Sequence, residues 1–254
     1  MKLNFTFNVQ ILNKKFKLRE ISFLEYRNLV KSIISDDPAL IKSSFVEFLQ
    51  SVCDKEPENV QEAFLLLLKY RELIHGKQIE FSVGDTKINY SSDDVFNFFN
   101  TEVSKIYYEI NNEVLELGLP NSFITEDNVI ENTLCCIYSV DGRKVLNFND
   151  LPALPFQDIY KTILQNYISV KYKIKFIDYD LSFFDLSCLF FIKSIFLYDL
   201  QNLYDLEYTL RRNLNFSVND LSTLSFPECN MLLKMHLKEL AEEEKKANKV
   251  DSMN

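Results

Sequence analysis

The sequence predicts a mixed α+β protein with helical N- and C-terminal parts around a β-rich central module. Three observations carry that expectation. Apolar residues recur at helical spacing through both ends, and alternating segments closed by turn residues fill the middle. Hydrophobic residues make up 47% of the 254, enough side chain for a substantial core. The expected boundaries are 1–76 for a β-hairpin plus helices, 77–180 for the β-rich module, and 181–254 for short helices with a charged tail.

At the N-terminus, Leu3, Phe5, Phe7, Val9 and Ile11 alternate with polar residues as a half-buried strand should, and Phe16 and Leu18 begin the return after an Asn13-Lys14 turn. Ser22 and Glu25 make a capping box ahead of Phe23, Tyr26, Leu29, Val30, Ile33 and Ile34 on one helical face. Asp36-Asp37-Pro38 closes that helix and starts another through Ile41, Phe45, Phe48, Leu49 and Val52. A third helix starts near Pro57, carries Ala63 to Leu68, and stops at Gly76, a residue suited to a helix C-terminus.

The texture then changes. Gln78–Tyr90 reads as a hairpin about Gly84-Asp85, followed by a short helix over Asp93–Phe99. Ile106–Leu119 is extended, turns at Asn111-Asn112, and ends at Pro120. Ile124–Tyr138 reads as a helix, and Val140-Asp141-Gly142-Arg143 as a turn between short strands. Pro155 opens a helix carrying Phe156, Ile159, Tyr160, Ile163 and Leu164, and Val170–Phe176 alternates as a strand.

The last quarter, Leu181 to Leu240, reads as a string of short helices. One begins near Asp185 and carries Leu186, Leu189, Phe190 and Ile192 toward Phe196. A second runs from about Leu200 to Leu214 with Leu203, Leu206, Leu210 and Leu214 on or near one face, and a brief third follows Asn219. Ser225-Phe-Pro-Glu228 is a capping box with proline in the first turn, and Cys229, Leu232, Leu233, His236, Leu237 and Leu240 recur behind it. Helices this short are marginal alone, so they must pack on one another or on a partner. Lys238–Lys249 mixes both charge signs and reads as a solvated helix end that frays.

Composition excludes several function classes. The net charge is −9 and the lysines are scattered, which argues against binding of duplex nucleic acid. The apolar run Leu181–Leu200 is broken by Asp185, Lys193 and Asp199, so no membrane span is expected. The opening MKLNFTFNVQ alternates and lacks the apolar core of a secretory leader. Cys53, Cys135, Cys136, Cys188 and Cys229 are unpatterned, as expected of reduced thiols inside a cell.

No catalytic, cofactor-binding or metal-ligating residues are assigned. His75 sits at a helix end where a cation complements the dipole, and His236 lies on the apolar side of the last helix as a core or interface histidine. Asp36-Asp37, Asp93-Asp94 and Asp178-Asp180 fall where caps and turns favour acidic side chains. Neither a phosphate-cradling glycine loop nor a dinucleotide fingerprint occurs in the sequence.

The order of features resembles the baseplate hub assembly proteins of T4-like contractile-tailed phages, a family that contains a hub subunit and an assembly catalyst. The resemblance rests on the opening strand running into LREISFLEYRNLV, on NNEVLELGLP from Asn111 to Pro120, on FNDLPALPFQDIYKTILQNY followed by KYKIKF, and on the terminal SFPECNMLLKMHLKE. It implies a non-catalytic protein that assists assembly of the baseplate central hub, as hub subunit or as chaperone, with other hub or spike proteins as partners. The implied location is the host cytoplasm during assembly, and the tail baseplate if the protein stays in the particle. Many relatives carry zinc-ribbon C-x-x-C pairs in the middle; here Ile177-Asp-Tyr-Asp180 stands in that place, so no metal is expected and aromatic packing by Phe183, Phe184, Phe190 and Phe191 must serve instead. The alternative from another class is a tail-associated hydrolase with a dispersed acidic active site, which would need a pair of buried or cleft-facing carboxylates.

Overall fold

A computed structural model describes residues 6–83, 86–145, 155–167, 172–174, 179–197 and 200–251. It is 57% helix and 18% strand, with helices at both ends and sheets in the middle, which makes it the expected α+β fold. The opening hairpin pairs β1 (Thr6–Ile11) with β2 (Lys14–Arg19), Ile11 opposite Lys14. Its turn is Leu12-Asn13, one residue earlier than the sequence suggests. Leu12 takes a left-handed φ of +53° and is held there by its N–H, which donates to Asn100 Oδ1 at 2.6 Å. Leu3, Phe5 and the Gly84-Asp85 turn lie outside the described residues.

Three helices follow. Helix α1 (Phe23–Ser32) carries the expected capping box of Ser22 and Glu25. It stops two residues short of Ile34, which faces solvent. Helix α2 (Pro38–Val52) is capped by Asp37. Helix α3 (Val60–His75) starts at an Asn59 cap, three residues after Pro57, and ends at Gly76 with φ +82°. Val60 through Leu68 is buried without interruption, so α3 is enclosed on all sides and forms the centre of the molecule. The run Ala63-Phe-Leu-Leu-Leu-Leu68 suits such a position because no face of it needs water.

The middle contains a hairpin of β3 (Gln78–Val83) and β4 (Thr86–Ser91), then α4 (Ser92–Phe99). A four-stranded antiparallel sheet follows in the order β5 (Ile106–Ile110), β6 (Glu113–Leu117), β7 (Ile137–Val140), β8 (Arg143–Lys144). Asn111 and Asn112 are both left-handed, as are Asp141 and Gly142, the geometry that two-residue hairpin turns require.

The helix expected over Ile124–Tyr138 is corrected. Only Val129–Leu134 is helical (α5), capped by Asn128, and Ile137-Tyr138 belongs to β7. Ladder pairing of β7 with β6 outweighs the short helical pattern, and Tyr138 closes over Gly118, where a Cβ would lie 2.7 Å from its ring. Helix α6 (Phe156–Tyr167) follows; the segment 146–154 ahead of it lies outside the described residues. Of the strand expected over Val170–Phe176, Tyr172–Ile174 (β9) is described, paired with β10 (Tyr179–Leu181).

The end of the chain is α7 (Ser187–Leu197), α8 (Leu200–Asn213), α9 (Val218–Leu221) and α10 (Phe226–Asp251). Helix α9 begins at a Ser217 cap with Asp220, earlier than Asn219 suggests. The tail does not fray after Lys238: helix continues through Asp251, on a segment rich in alanine, glutamate and lysine.

One hydrophobic cluster runs from Ile11 to Cys229 and includes residues of all three segments. Phe183 and Phe191 pack on Phe64 of α3 at 5.9 and 6.1 Å between ring centroids, and Phe99 of α4 joins them at 4.9 Å from Phe64. Of the four aromatic residues expected to hold the middle together, Phe183 and Phe191 pack against α3, and Phe184 stacks on Tyr167 of α6 at 5.9 Å. Lys193, read as an interruption of an apolar run, is buried in α7 and donates from Nζ to the Ser35 carbonyl at 2.6 Å. The two ends meet directly. Phe23 N–H donates to the Leu224 carbonyl at 2.7 Å, Ser22 and Ser225 form a β-bridge, and Phe23 stacks on Phe226 with 5° between their planes.

Candidate protein-interaction surfaces

Catalysis asks for ionisable groups held in a cleft with shifted pKa values. Several enclosed carboxylates of this fold are held by cations, whereas Glu113 keeps a buried Oε2 with no hydrogen-bond partner among the described residues. Glu62, 2% exposed, accepts from Lys14 Nζ at 2.6 Å and from the Glu58 N–H at 2.9 Å. Glu72 pairs with Lys69 at 2.8 Å, and Glu207 with Arg27 at 2.5 Å. Glu116 accepts from Lys105 and from Ser139, both at 2.7 Å, and these hydrogen bonds hold it below the usual carboxylate range. A carboxylate bound to a cation is a poor proton carrier at neutral pH.

Two acidic clefts share Glu126 and Asp127: one between α5 and α6 also holds Asp158, and the other, at the start of α7, holds Asp185. All four are exposed. They surround helix N-termini, where negative charge offsets the dipole, and Asp185 accepts from the Ser187 N–H at 2.8 Å as a cap. Among the described residues, no group of three or more His, Cys, Asp and Glu could hold a metal ion.

The histidines have structural surroundings. His75 is not the helix-end cation that its position suggests. Its Nε2 lies 2.9 Å from the Tyr26 hydroxyl and its ring is 4.4 Å from that of Phe226. Burial, aided by the Arg71 charge, pushes its pKa down to about 3, so it is neutral at physiological pH. His236 is half-buried on α10, in line with Leu232 and Leu233. All five cysteines are free thiols, and burial pushes Cys53 and Cys229 up to about 12, far from the range of a reactive thiolate. No helix among the described residues is long and apolar enough to cross a membrane.

What the fold does present is exposed apolar surface on its last helix. Helix α10 is anchored at its first turns, where Phe226 and Cys229 are buried. Its apolar spacing continues after the supporting helices have ended. Leu237 and Leu240 are 53% and 40% exposed, and Met231 and Met235 on the other side are 56% and 54% exposed. Lone exposed apolar residues are ordinary; Leu237 and Leu240 make an apolar pair on one side of α10, and Met231 and Met235 a second pair on the opposite side.

No family model, curated protein or solved structure matches the chain.

A second surface lies between α1 and α8. Arg27 and Lys31 project from α1 one turn apart, and Tyr204, Glu207, Tyr208, Arg211 and Arg212 line the groove from α8, beside its buried face of Leu203, Leu206 and Leu210. Lys31 Nζ is 5.3 Å from the Tyr204 ring centroid, and the Arg212 guanidinium is 5.4 Å from that of Tyr208, whose hydroxyl it also contacts. The sequence separates these cations by about 180 residues, the span from Arg27 to Glu207, so they read there as scattered charge. Folding gathers them. Glu207 neutralises part of the cluster, through Arg27 and through Arg211 at 3.7 Å. The Arg27 Nε is buried with no hydrogen-bond partner among the described residues, an omission that costs about 1–3 kcal/mol if nothing fills it.

Proposed function

We propose that this chain is a non-catalytic assembly protein that helps build the central hub of a contractile-tailed phage baseplate, as a hub subunit or as a chaperone. The apolar surface of α10 is the observation that carries a protein-binding role. A helix whose first turns are locked into the core, and whose later turns keep Leu237 and Leu240 outside it, holds an apolar face ready for a partner. The resemblance of the sequence to hub assembly proteins supplies the choice of partner, other hub or spike proteins, and places the work in the host cytoplasm, before or within the tail baseplate. The pairing of Glu62, Glu72, Glu116 and Glu207 with cations supports a role without bond chemistry, in preference to the acidic hydrolase.

Capture of the tagged protein from infected cells tests this, alongside a search for it in purified virions. Hub or spike proteins in the eluate support the assembly role, and presence or absence in virions separates subunit from chaperone. Leu237→Glu with Leu240→Glu should remove the partner while the circular dichroism spectrum stays unchanged. Retrieval of no tail protein would overturn the proposal.

A further inference from the structure

We infer that the groove between α1 and α8 is a binding site for an acidic peptide segment of a partner protein. It is a different surface from the apolar face of α10, and the inference holds whether or not the partner belongs to a baseplate. The walls carry four cations, Arg27, Lys31, Arg211 and Arg212, against the single carboxylate of Glu207. That is a local positive excess on a chain whose net charge is −9.

Each wall has a distinct part in recognition. Arg211 is 54% exposed and only loosely engaged by Glu207, so its planar fork is open to a carboxylate in the two-point geometry that arginine favours. Arg27 is held in place by Glu207, which fixes its guanidinium in the wall of the groove, and its buried Nε has no hydrogen-bond partner among the described residues. Tyr204 and Tyr208, 41% and 58% exposed, add flat apolar faces between the charges. A ligand satisfying all of these has carboxylates interleaved with apolar side chains.

Size and field favour a short peptide over a nucleic acid. From Tyr204 to Arg212 the helix advances about 12 Å, the length of roughly four residues of extended chain. A nucleic acid needs a longer track of cations, and beyond this groove it would meet the negative field of the rest of the protein. A peptide with a few carboxylates lies within the positive region.

The test is fluorescence anisotropy on the full chain with a short labelled peptide that alternates glutamate with leucine. A single-stranded oligonucleotide of equal charge serves as competitor. The expected dissociation constant is on the order of 10 μM in low salt, weakening about tenfold in high salt as screened ion pairs do. Arg211→Glu with Arg212→Glu, both exposed, should weaken it a further tenfold or so. Lys55→Glu with Lys161→Glu makes the same change in net charge away from the groove and should leave binding unaltered. Four results would overturn the inference: no binding, equal loss in both double variants, tighter binding of the oligonucleotide, or sedimentation showing that a second copy of the chain fills the groove.

Discussion

Phe226→Ala is the substitution that most directly tests how the two ends of the chain hold together. Phe226 is 3% exposed and touches three rings: Phe23 at 6.0 Å between centroids, Tyr26 at 5.6 Å and His75 at 4.4 Å. Two of these belong to α1 and one ends α3, so the side chain is the plug that seats α10 on the N-terminal helices. Truncating a buried phenylalanine to alanine costs about 3–5 kcal/mol in lost transfer energy and residual cavity. For a chain of this size each kcal/mol lowers the melting temperature by about 2–4 °C, so the expected fall is about 6–20 °C. Leu237→Ala, eleven residues on and exposed, should stay within about 0.5 kcal/mol of the parent. Urea unfolding followed by tryptophan-free far-UV dichroism reads both. A loss below about 1 kcal/mol for Phe226→Ala, or a separate early transition in the parent, would refute the shared core of the two ends.

Other outcomes follow from the buried polar groups. His75 has a folded-state pKa below its unfolded value, so the unfolded chain binds the extra proton between them; its contribution to stability is whole above about 6.5 and falls as the pH drops toward about 3, by up to about 1.4 kcal/mol per unit. Its ring resonances should show no titration near pH 6.5, and a midpoint there would contradict the burial. Lys14→Met should destabilise by about 2–3 kcal/mol and more than Glu62→Gln, because it strands a buried carboxylate, whereas the reverse leaves a half-exposed ammonium still paired with Glu58. Equal losses in urea titrations would mean that Glu62 is better hydrated than its enclosure implies. Thiol labelling at pH 8 should be slow for Cys136, Cys188 and Cys229 in the folded protein and quick in denaturant. Rapid native reaction at any of the three would place it at the surface.

The sequence foretold local events better than meetings between distant segments. Both capping boxes, Ser22 with Glu25 and Ser225 with Glu228, are legible because their donors and acceptors lie within four residues. That the two boxes lie side by side, as two copies of Ser-Phe-x-Glu with stacked phenylalanines, depends on the path of the 200 or so residues between them, which local propensity does not encode. The same limit explains the strand at Ile137-Tyr138. Its pairing partner on β6 is about twenty residues back, and only that pairing decides against a helix. His75 misled for a related reason. Its place before Gly76 is a good cation position on an exposed helix, but α3 ends beneath α10, and burial overrides the dipole. Little of the α1–α8 groove is legible in the sequence, because its four cations come from two helices that local pattern does not bring together. The one legible hint is the i, i+4 pair of Arg27 with Lys31 on the face of α1 away from Tyr26 and Val30.

Helix α10 joins the stability of the fold to the exposure of Leu237 and Leu240 on its later turns. Nucleating a helix is costly, and an isolated segment of about 12–15 residues is marginal in water. Beyond Leu240 the described side chains of α10 are exposed, so this part contributes little burial of its own. It persists as helix by propagation from the first turns, where Ser225 and Glu228 satisfy the end and Phe226 and Cys229 are locked into the core. Two consequences separate cleanly. Ending the chain after Leu240 should change global stability by no more than about 1 kcal/mol, since the described side chains it removes are exposed. Ser225→Ala, by contrast, removes the cap and should cost about 1 kcal/mol while also fraying the distal turns. Amide hydrogen exchange resolves the pair: distal protection should fall in Ser225→Ala, with no change in the exchange of α2. Equal distal protection in the capped and uncapped proteins would show that the far half of α10 is stabilised by something other than its anchored start, and the apolar face it carries would then have a partner within the chain.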